Sequence, residues 1–433
     1  MASEQVPLRN RISSLASIVG ENGFYPWENL APSQQQFILQ ATSSPTPPSC
    51  IVYPETTEQL AEVMREANRN KWRVLPCGSG SKLSWGGLVK GIDVVVSTER
   101  LNKLIDHAVG DLTVTAEAGM KFSQLQAILA KANQFLAFDP VRASGTLGGI
   151  VATADTGSLR QRYGSVRDQL LGITFVRADG QVAKAGGRVV KNVAGYDLMK
   201  LFTGSYGTLG VISQVTFRVY PIPEISATVV LTGRAEDISQ AAAILRGSAL
   251  TPTQADLVST QLISELGLGT GMGLIARFQS IAESVKEQSN RLVEVGENLG
   301  LQGGMYGGVD EADLWERLRE SMNSGGDESA ITCKIGVLPI AGVEVLKQAQ
   351  KGLIHVGCGL GVLRFEDEKG LVEMRSLCEN HRGFLTILTA PVGVKQRLDV
   401  WGYTGNAGEM MRRIKLRFDE KGILSFGRFV GGI

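Results

Sequence analysis

GGRVVKNVAGYDLMKLFTGSYGTLGVISQVTFRV, running from Gly186 to Val219, is the stretch from which the rest of the chain can be read. Gly187, Gly195, Gly204, Gly207 and Gly210 punctuate apolar residues, and a strand-like run follows them. Glycine recurs where a backbone must take positive φ or pass close to something else. Such a density inside an ordered-looking segment points to a backbone shaped around a ligand. A companion stretch, ASGTLGGIVATADTG (Ala143 to Gly157), has the same character.

The bulk properties narrow what that ligand can be. A chain of 433 residues is long enough for two or three domains and a large core. Lys and Arg number 44 against 43 Asp and Glu, a formal net charge of +1, so no basic excess supports nucleic-acid binding. The five cysteines, Cys50, Cys77, Cys333, Cys358 and Cys378, form no Cys-x-x-Cys pair. That spacing argues against a local zinc or iron–sulfur site, and the odd count supports no disulfide framework. Reduced thiols in a cytoplasmic compartment are the expectation. No run reaches 18 uncharged apolar residues, so no transmembrane segment is expected. The longest candidate, Gly352 to Leu363, reads as a buried strand.

Outward from the opening stretch, residues 1–47 read as an N-terminal extension ending in the turn-rich SSPTPPS. Ile51–Tyr53 begins the regular structure as a strand. Thr56 and Gln59 form a capping box before Leu60, Val63, Met64 and Ala67, so a helix is expected over 57–69. Trp72–Leu75 is a strand, and PCGSGSK (Pro76 to Lys82) is the loop that leaves it. Strands follow at 94–96 and 112–116, and a helix at 121–132. A strand is expected at 171–176 with the Asp179-Gly180 turn behind it, and a long strand at 209–219. Pro221 and Pro223 mark a boundary. Beyond Glu224 strands and helices restart, which predicts a second α+β unit of ferredoxin-like type. A helix at 410–418 and a Gly-rich tail close the chain.

Three glycine loops carry the candidate chemistry. Gly78-Ser79-Gly80-Ser81-Lys82 can form a nest of backbone N–H groups for a pyrophosphate. It has neither Walker nor Rossmann spacing, and taken alone such a loop is more often just a turn. Thr146-Leu147-Gly148-Gly149 lets a backbone lie against a planar or phosphate-bearing ligand; close packing of a helix on a strand is the alternative. GSYGTLGVI (Gly204 to Ile212) is equally a strand start with turn glycines. His355, on an apolar strand, reads as a satisfied core histidine, and His107 as solvated. Trp85 beside Gly86-Gly87 reads as packing, as do Lys191, Tyr196 and Asp197.

Together, Pro54, the PCGSGS loop, ASGTLGG, Arg162-Tyr163-Gly164, Asp179-Gly180, KNVAGYDL (Lys191 to Leu198) and GSYGTLGVI resemble the FAD-binding domain of the vanillyl-alcohol oxidase (PCMH-type) family. Order and spacing match from about Pro48 to Pro223. The run from Gly186 to Val211 resembles the glycolate oxidase group further, on the side of its E-type subunits. The resemblance implies an α+β fold: a two-subdomain PCMH-type FAD-binding domain over 48–223, then a smaller ferredoxin-like cap over 224–400. Residues 401–433 would return to the FAD domain as a helix and tail. Cofactor contacts implied are Cys77, Gly78, Ser79, Gly80, Ser81 and Lys82 at the pyrophosphate, and Pro140, Ser144, Thr146, Gly148 and Gly149 along the flavin and ribityl chain. Gly207, Gly210 and Val211 would lie near the adenine half. FAD held non-covalently and no metal site are expected.

The chain departs from the family in three places. The H-x-G-D-G-N-x-H motif of the catalytic relatives is missing, and only His107, His355 and His381 are present. Gly204-Ser205-Tyr206-Gly207 replaces Gly-Ser-Glu-Gly. Leu424-Ser425-Phe426-Gly427-Arg428 replaces the C-terminal Asn-Pro-Gly-Lys turn. The implied role is an FAD-binding subunit of a heteromeric glycolate oxidase/dehydrogenase, converting glycolate to glyoxylate. It would hold cofactor or relay electrons beside a sister flavoprotein and an iron–sulfur subunit. A self-sufficient 2-hydroxy-acid dehydrogenase and a structural subunit with a vestigial flavin site are the alternatives.

Overall fold

The computed structural model describes Ile12 and residues 14–188, 195–323 and 330–433. The first part of the KNVAGYDL motif, including Lys191, lies outside the described residues. The mixture of helices and strands is α+β, organised on three sheets.

The first sheet contains β1 (Phe24–Pro26), β2 (Cys50–Val52), β3 (Val74–Cys77) and β4 (Val94–Ser97), in the order β1-β2-β4-β3. β2 and β3 run parallel to β4, and β1 is antiparallel to β2. The crossover between β2 and β3 is the helix Thr57–Asn70. Thr56 Oγ1 accepts from the Gln59 N–H at 3.1 Å, and Gln59 Oε1 accepts from the Glu55 N–H at 2.8 Å. Leu60, Val63, Met64 and Ala67 are buried on one face at helical spacing. The expected N-terminal extension is built into this layer: β1 belongs to the sheet, and Ile12, Leu15 and Val19 share the core of Val52, Leu60 and Val63.

The second sheet is antiparallel. It contains β5 (Leu104–Ala108) and β6 (Thr113–Glu117); the short β7 (Gln134–Phe135) lies outside it. Then come β8 (Leu170–Val176), β9 (Val182–Gly186) and β10 (Val211–Arg218), with the order β5-β6-β10-β8-β9. Gly180, at φ 81°, makes the turn between β8 and β9. β11 (Tyr220–Pro221) pairs with β7.

The third sheet is larger than the single cap unit expected. β12 (Ile225–Gly233), β13 (Gln254–Val258), β14 (Met272–Ser280) and β15 (Gln302–Gly307) form one ferredoxin-like half in the order β15-β12-β14-β13. β16 (Ile331–Gly336), β17 (Lys351–His355), β18 (Leu360–Phe365) and β19 (Phe384–Thr389) form a second, in the order β17-β18-β16-β19. Each half is a β-α-β-β-α-β unit. The two join edge to edge where β13 pairs antiparallel with β17, giving eight continuous strands. The segment read as one strand over 353–363 is therefore a hairpin. Its turn contains Gly359 at φ 68°, where a Cβ would stand 1.9 Å from the Val337 carbonyl oxygen.

After the helix Gly408–Phe418 the chain returns to the first sheet. The Val74 N–H donates to Ile423 O at 2.8 Å and the Ser425 N–H to Val74 O at 2.9 Å, so the tail runs beside β3. Buried Lys415 fixes the corner, bonding Asp419 at 2.6 Å and the Thr208 and Leu424 carbonyls at 2.8 Å each.

Candidate functional site

β3 delivers its last residue, Cys77, to the mouth of a cleft walled by three loops. Cys77, Gly78, Ser79, Gly80, Ser81 and Lys82 form one wall; Thr146, Gly148 and Gly149 form the second; Gly207, Gly210 and Val211 form the third. These are twelve of the fourteen residues named from sequence. Pro140 instead lines a neighbouring chamber, and Ser144 is exposed and lines neither. Their segment turns away from the cleft before Thr146. Leu83, Thr98, Ala152, Thr153, Tyr206, Ile212 and Arg428 complete the lining.

The glycines serve different purposes. A Cβ on Gly78 would stand 2.0 Å from Thr146 Oγ1, so this glycine lets the first wall touch the second. Gly207 takes φ 73°. At Gly148 and Gly210 the close neighbours are Ala118 Cβ at 2.8 Å and Val176 O at 2.9 Å, so these two also serve packing of the protein on itself.

The donors of the cleft are unspent. Backbone N–H groups from Gly78 through Lys82 make no hydrogen bond to a described residue. Ser79 Oγ and the Nε and Nη1 of Arg428 are buried without a partner. Lys82 Nζ stands 2.6 Å from Asp155 Oδ2, an ion pair by distance but off the line of a hydrogen bond. Buried donors in native proteins are nearly always matched, so a group of them facing one cleft marks a site for an acceptor-rich anion. Cys77 is no nucleophile there, because burial pushes its thiol up to about 12 despite a hydrogen bond with Ser97.

Over one face of the third sheet, walled on its other side by helices and loops of the first half of the chain, lies a chamber of about 1230 Å³. Ser84 and Trp85 line it just after the first loop and Asp139 to Ala143 just before the second, so neighbouring residues of the same segments line cleft and chamber. One wall carries a buried relay. Glu311 accepts from Ser226 Oγ, Thr228 Oγ1 and Arg277 Nε at 2.7, 2.7 and 2.9 Å. Arg277 Nη1 donates to Gln254 Oε1 at 3.3 Å, and Gln254 Nε2 donates to Asp139 Oδ2 at 3.2 Å. His355 also faces the chamber, with Nδ1 2.6 Å from Asp256 Oδ1. Burial pushes Asp139 up to about 6, against the opposing pull of His355 and the Leu159 N–H. His355 is thus satisfied, as read from sequence, yet it sits at a cavity wall rather than in a closed core. A buried Asp in the strand QADLV and the two glycines after His355 are the signals that point there.

The other singled-out residues lie elsewhere. His107 Nε2 is 2.8 Å from Gln134 Oε1, so it is paired rather than solvated. Tyr196 is 88% exposed, and Asp197 pairs with Lys200 at 2.9 Å. Among the described residues, no group of three or more His, Cys, Asp or Glu is placed to hold a metal ion, and no helix is long and apolar enough to cross a membrane.

Comparison with known proteins now bears on the cleft. Residues 48–186 match the FAD binding domain family. The chain is 26% identical over 284 residues to the mitochondrial D-lactate dehydrogenase [cytochrome] of Arabidopsis thaliana, a match covering 64% of this chain and 50% of that protein. It is 28% identical to glycolate oxidase subunit GlcD of Bacillus subtilis over 50% of this chain and 44% of the subunit. The chain spans about half the length of these curated relatives. An uncharacterized FAD-linked oxidoreductase of Mycobacterium tuberculosis matches at 26% identity over 90% of this chain and 93% of its own length. Among solved structures, p-cresol methylhydroxylase with substrate bound superposes at TM-score 0.78 with 16% identity, over 99% of this chain and 97% of that one, which shows the shared fold. Residues 48–186 are thus an FAD-binding domain of the PCMH type. The free amides, Ser79 and Arg428 fit the diphosphate of FAD, and the narrow gap at Gly78 fits a ligand held by main chain.

Proposed function

We propose that this chain is an FAD-dependent oxidoreductase acting on a small 2-hydroxy acid, and that it works as a flavoprotein subunit of a glycolate oxidase/dehydrogenase. One observation carries the first part: the segments that line a donor-rich cleft continue into a chamber on whose wall Arg277 and the Asp256-bonded His355 both stand. The likeness to D-lactate dehydrogenases and to a glycolate oxidase subunit supports the substrate class. The partners in this reading are a sister flavoprotein and an iron–sulfur subunit, and the compartment is the cytoplasm.

Cofactor affinity would come from the Gly78–Lys82 amides, with Thr146, Gly149, Gly207 and Val211 shaping the remaining walls. Attachment would be non-covalent, in keeping with the protonated Cys77 thiol. Acid precipitation of the purified protein should release all flavin into the supernatant; flavin retained in the pellet would overturn that point. When bound, FAD supplies the hydride acceptor. The protein's share is to bind and deprotonate. Glu311 and Ser226 hold the Arg277 guanidinium in place, and its Nη2, with no partner among the described residues, is available to a substrate carboxylate. With Nδ1–H donated to Asp256, His355 presents a bare Nε2 as the acceptor of the hydroxyl proton.

That pair favours a second reading, in which the chain oxidises a 2-hydroxy acid without a sister subunit. Glycolate and D-lactate, added separately to purified holoprotein without oxygen, separate the two. Flavin bleaching by the isolated chain would establish independent turnover. No bleaching alone, with bleaching restored by co-purified partners, is the outcome expected of a dependent subunit. A chain that retains no flavin under any preparation would refute both.

A further inference from the structure

We propose that Arg428, carried in by the C-terminal return, is the side-chain cation that binds the cofactor's diphosphate. The inference rests on the FAD reading and extends it to a residue far from the matched domain. Arg428 is 4% exposed and lines the cleft beside the end of the glycine loop. Its Nη2 donates to the carbonyls of Leu83 at 2.8 Å and Trp85 at 2.9 Å, with a longer contact to Lys82 O at 3.4 Å. Its Nε and Nη1 have no partner.

The residue is held from all sides. The Arg428 N–H donates to Ser425 O at 3.0 Å, and its carbonyl accepts from the Gly87 N–H and from Trp401 Nε1, both at 3.1 Å. Gly427 at φ 87° and Ser425 at φ 45° set the turn that delivers it. A guanidinium fixed this way pays little entropy on engaging an anion. It also needs one. No carboxylate pairs with it among the described residues; burial disfavours its charge, and it in turn disfavours the charge of Lys395, a second buried cation. Two buried positive charges without a counter-ion are costly. Among the described residues no acidic side chain lines the cleft, and nearby Asp155 already faces Lys82. The free Nε–H and Nη1–H lie on different edges of the guanidinium, each open to a separate anionic oxygen, and Ser79 Oγ and the Gly78–Lys82 amides belong to the same cleft. Lys82 has a carboxylate counter-ion within the protein and Arg428 has none among the described residues, which assigns the anion to the tail rather than to the glycine loop's own lysine.

The test uses the full chain stripped of flavin, titrated separately with FAD, ADP and riboflavin, with melting of each apoprotein as the folding control. Arg428→Met should weaken FAD and ADP binding by about tenfold or more, the weight of a charge-assisted hydrogen bond, and leave riboflavin binding unchanged. Arg428→Lys keeps a donor for the Leu83 and Trp85 carbonyls and so protects the fold. It should lie between wild type and Arg428→Met for ADP, again with riboflavin unchanged. Equal ADP affinity in wild type and Arg428→Lys, or riboflavin binding that falls in step with ADP, would overturn the proposal, the latter because it marks a residue that merely props the loop. A wild-type chain that binds none of the three would defeat the FAD reading itself, and Arg428 with it.

Discussion

Asp139 occupies a chamber wall where ionisation is disfavoured, and it can be isolated by one conservative change. Its carboxyl is raised from 3.8 to about 6. A carboxyl raised on folding stabilises the native state below its unfolded pKa, and that contribution is lost as pH rises through the folded value. Wild-type stability should therefore fall by on the order of 2 kcal/mol between about pH 4 and pH 6 on account of this group. Asp139→Asn keeps an acceptor for the Leu159 N–H and should remove that slope. Denaturant midpoints across the window measure it, and an unchanged slope would show that Asp139 ionises freely. At Gly78 the constraint is steric. Gly78→Ala places a methyl 2.0 Å from Thr146 Oγ1, so one wall must shift. Flavin content on purification should drop severalfold, whereas Gly195→Ala, with nothing within 4 Å of its added Cβ but a φ of 111°, should cost local strain and leave flavin content alone. Equal flavin content in the two would mean that the narrow gap has no bearing on the ligand.

The loop from Lys82 to Gly87 is the element on which cleft and chamber depend, and it has little regular structure of its own. Two buried cations from the C-terminal third hold it: Arg428 as described, and Lys395, whose Nζ donates to Ser84 O, to Gly86 O at 2.8 Å and to Leu388 O at 3.2 Å. Burial pulls the Lys395 ammonium down to about 7, while three carbonyl acceptors draw it toward the charged form. Lys395→Met fills the volume but strands those carbonyls, at a cost of roughly 2–4 kcal/mol, and should lower the melting temperature by about 2–4 °C. A melting temperature within a degree of wild type would mean that water replaces the ammonium without loss. Neither cation is legible in the sequence. Each joins residues more than 300 positions apart, and such a contact leaves no periodicity or spacing to read. The glycine loops are legible because positive φ and close approach admit few other residues. The helix Thr57–Asn70 is legible because cap and apolar face are both local. The doubling of the ferredoxin-like unit is half legible: the alternation of strands and helices is written along 224–400, but the edge pairing of β13 with β17 that fuses the halves is not.

At the scale of the whole molecule, the cofactor cleft is closed by the C-terminal return, 216 residues beyond the last of the other residues that line it. Tyr206 from the third glycine loop packs on Trp401 at 5.0 Å and Phe429 at 6.2 Å, and Trp401 packs on Phe429 at 4.9 Å. This cluster ties the FAD domain to the segment leaving the cap and to the tail. Tyr206 keeps a left-handed backbone, φ 54°, at some cost in strain. A ligand that engages Arg428 is therefore linked to the docking of everything the tail touches. By mass action, FAD at about 100 times its dissociation constant stabilises the state that binds it by about 2.7 kcal/mol, roughly a hundredfold in the opening equilibrium. If the tail must undock for the cofactor to leave, that factor appears in amide exchange far from the flavin. The N–H groups of Ser425, Lys90 and Gly87, bonded to Val74, Phe426 and Arg428 carbonyls, should exchange up to a hundredfold more slowly with FAD than without. ADP alone should reproduce most of that protection and riboflavin little of it. Amides on the far edge of the third sheet, such as those of β15, should not respond. Uniform protection across the chain would indicate global stabilisation without a tail-specific link, and no protection at these three amides would mean that the C-terminal return closes over the cleft independently of its ligand.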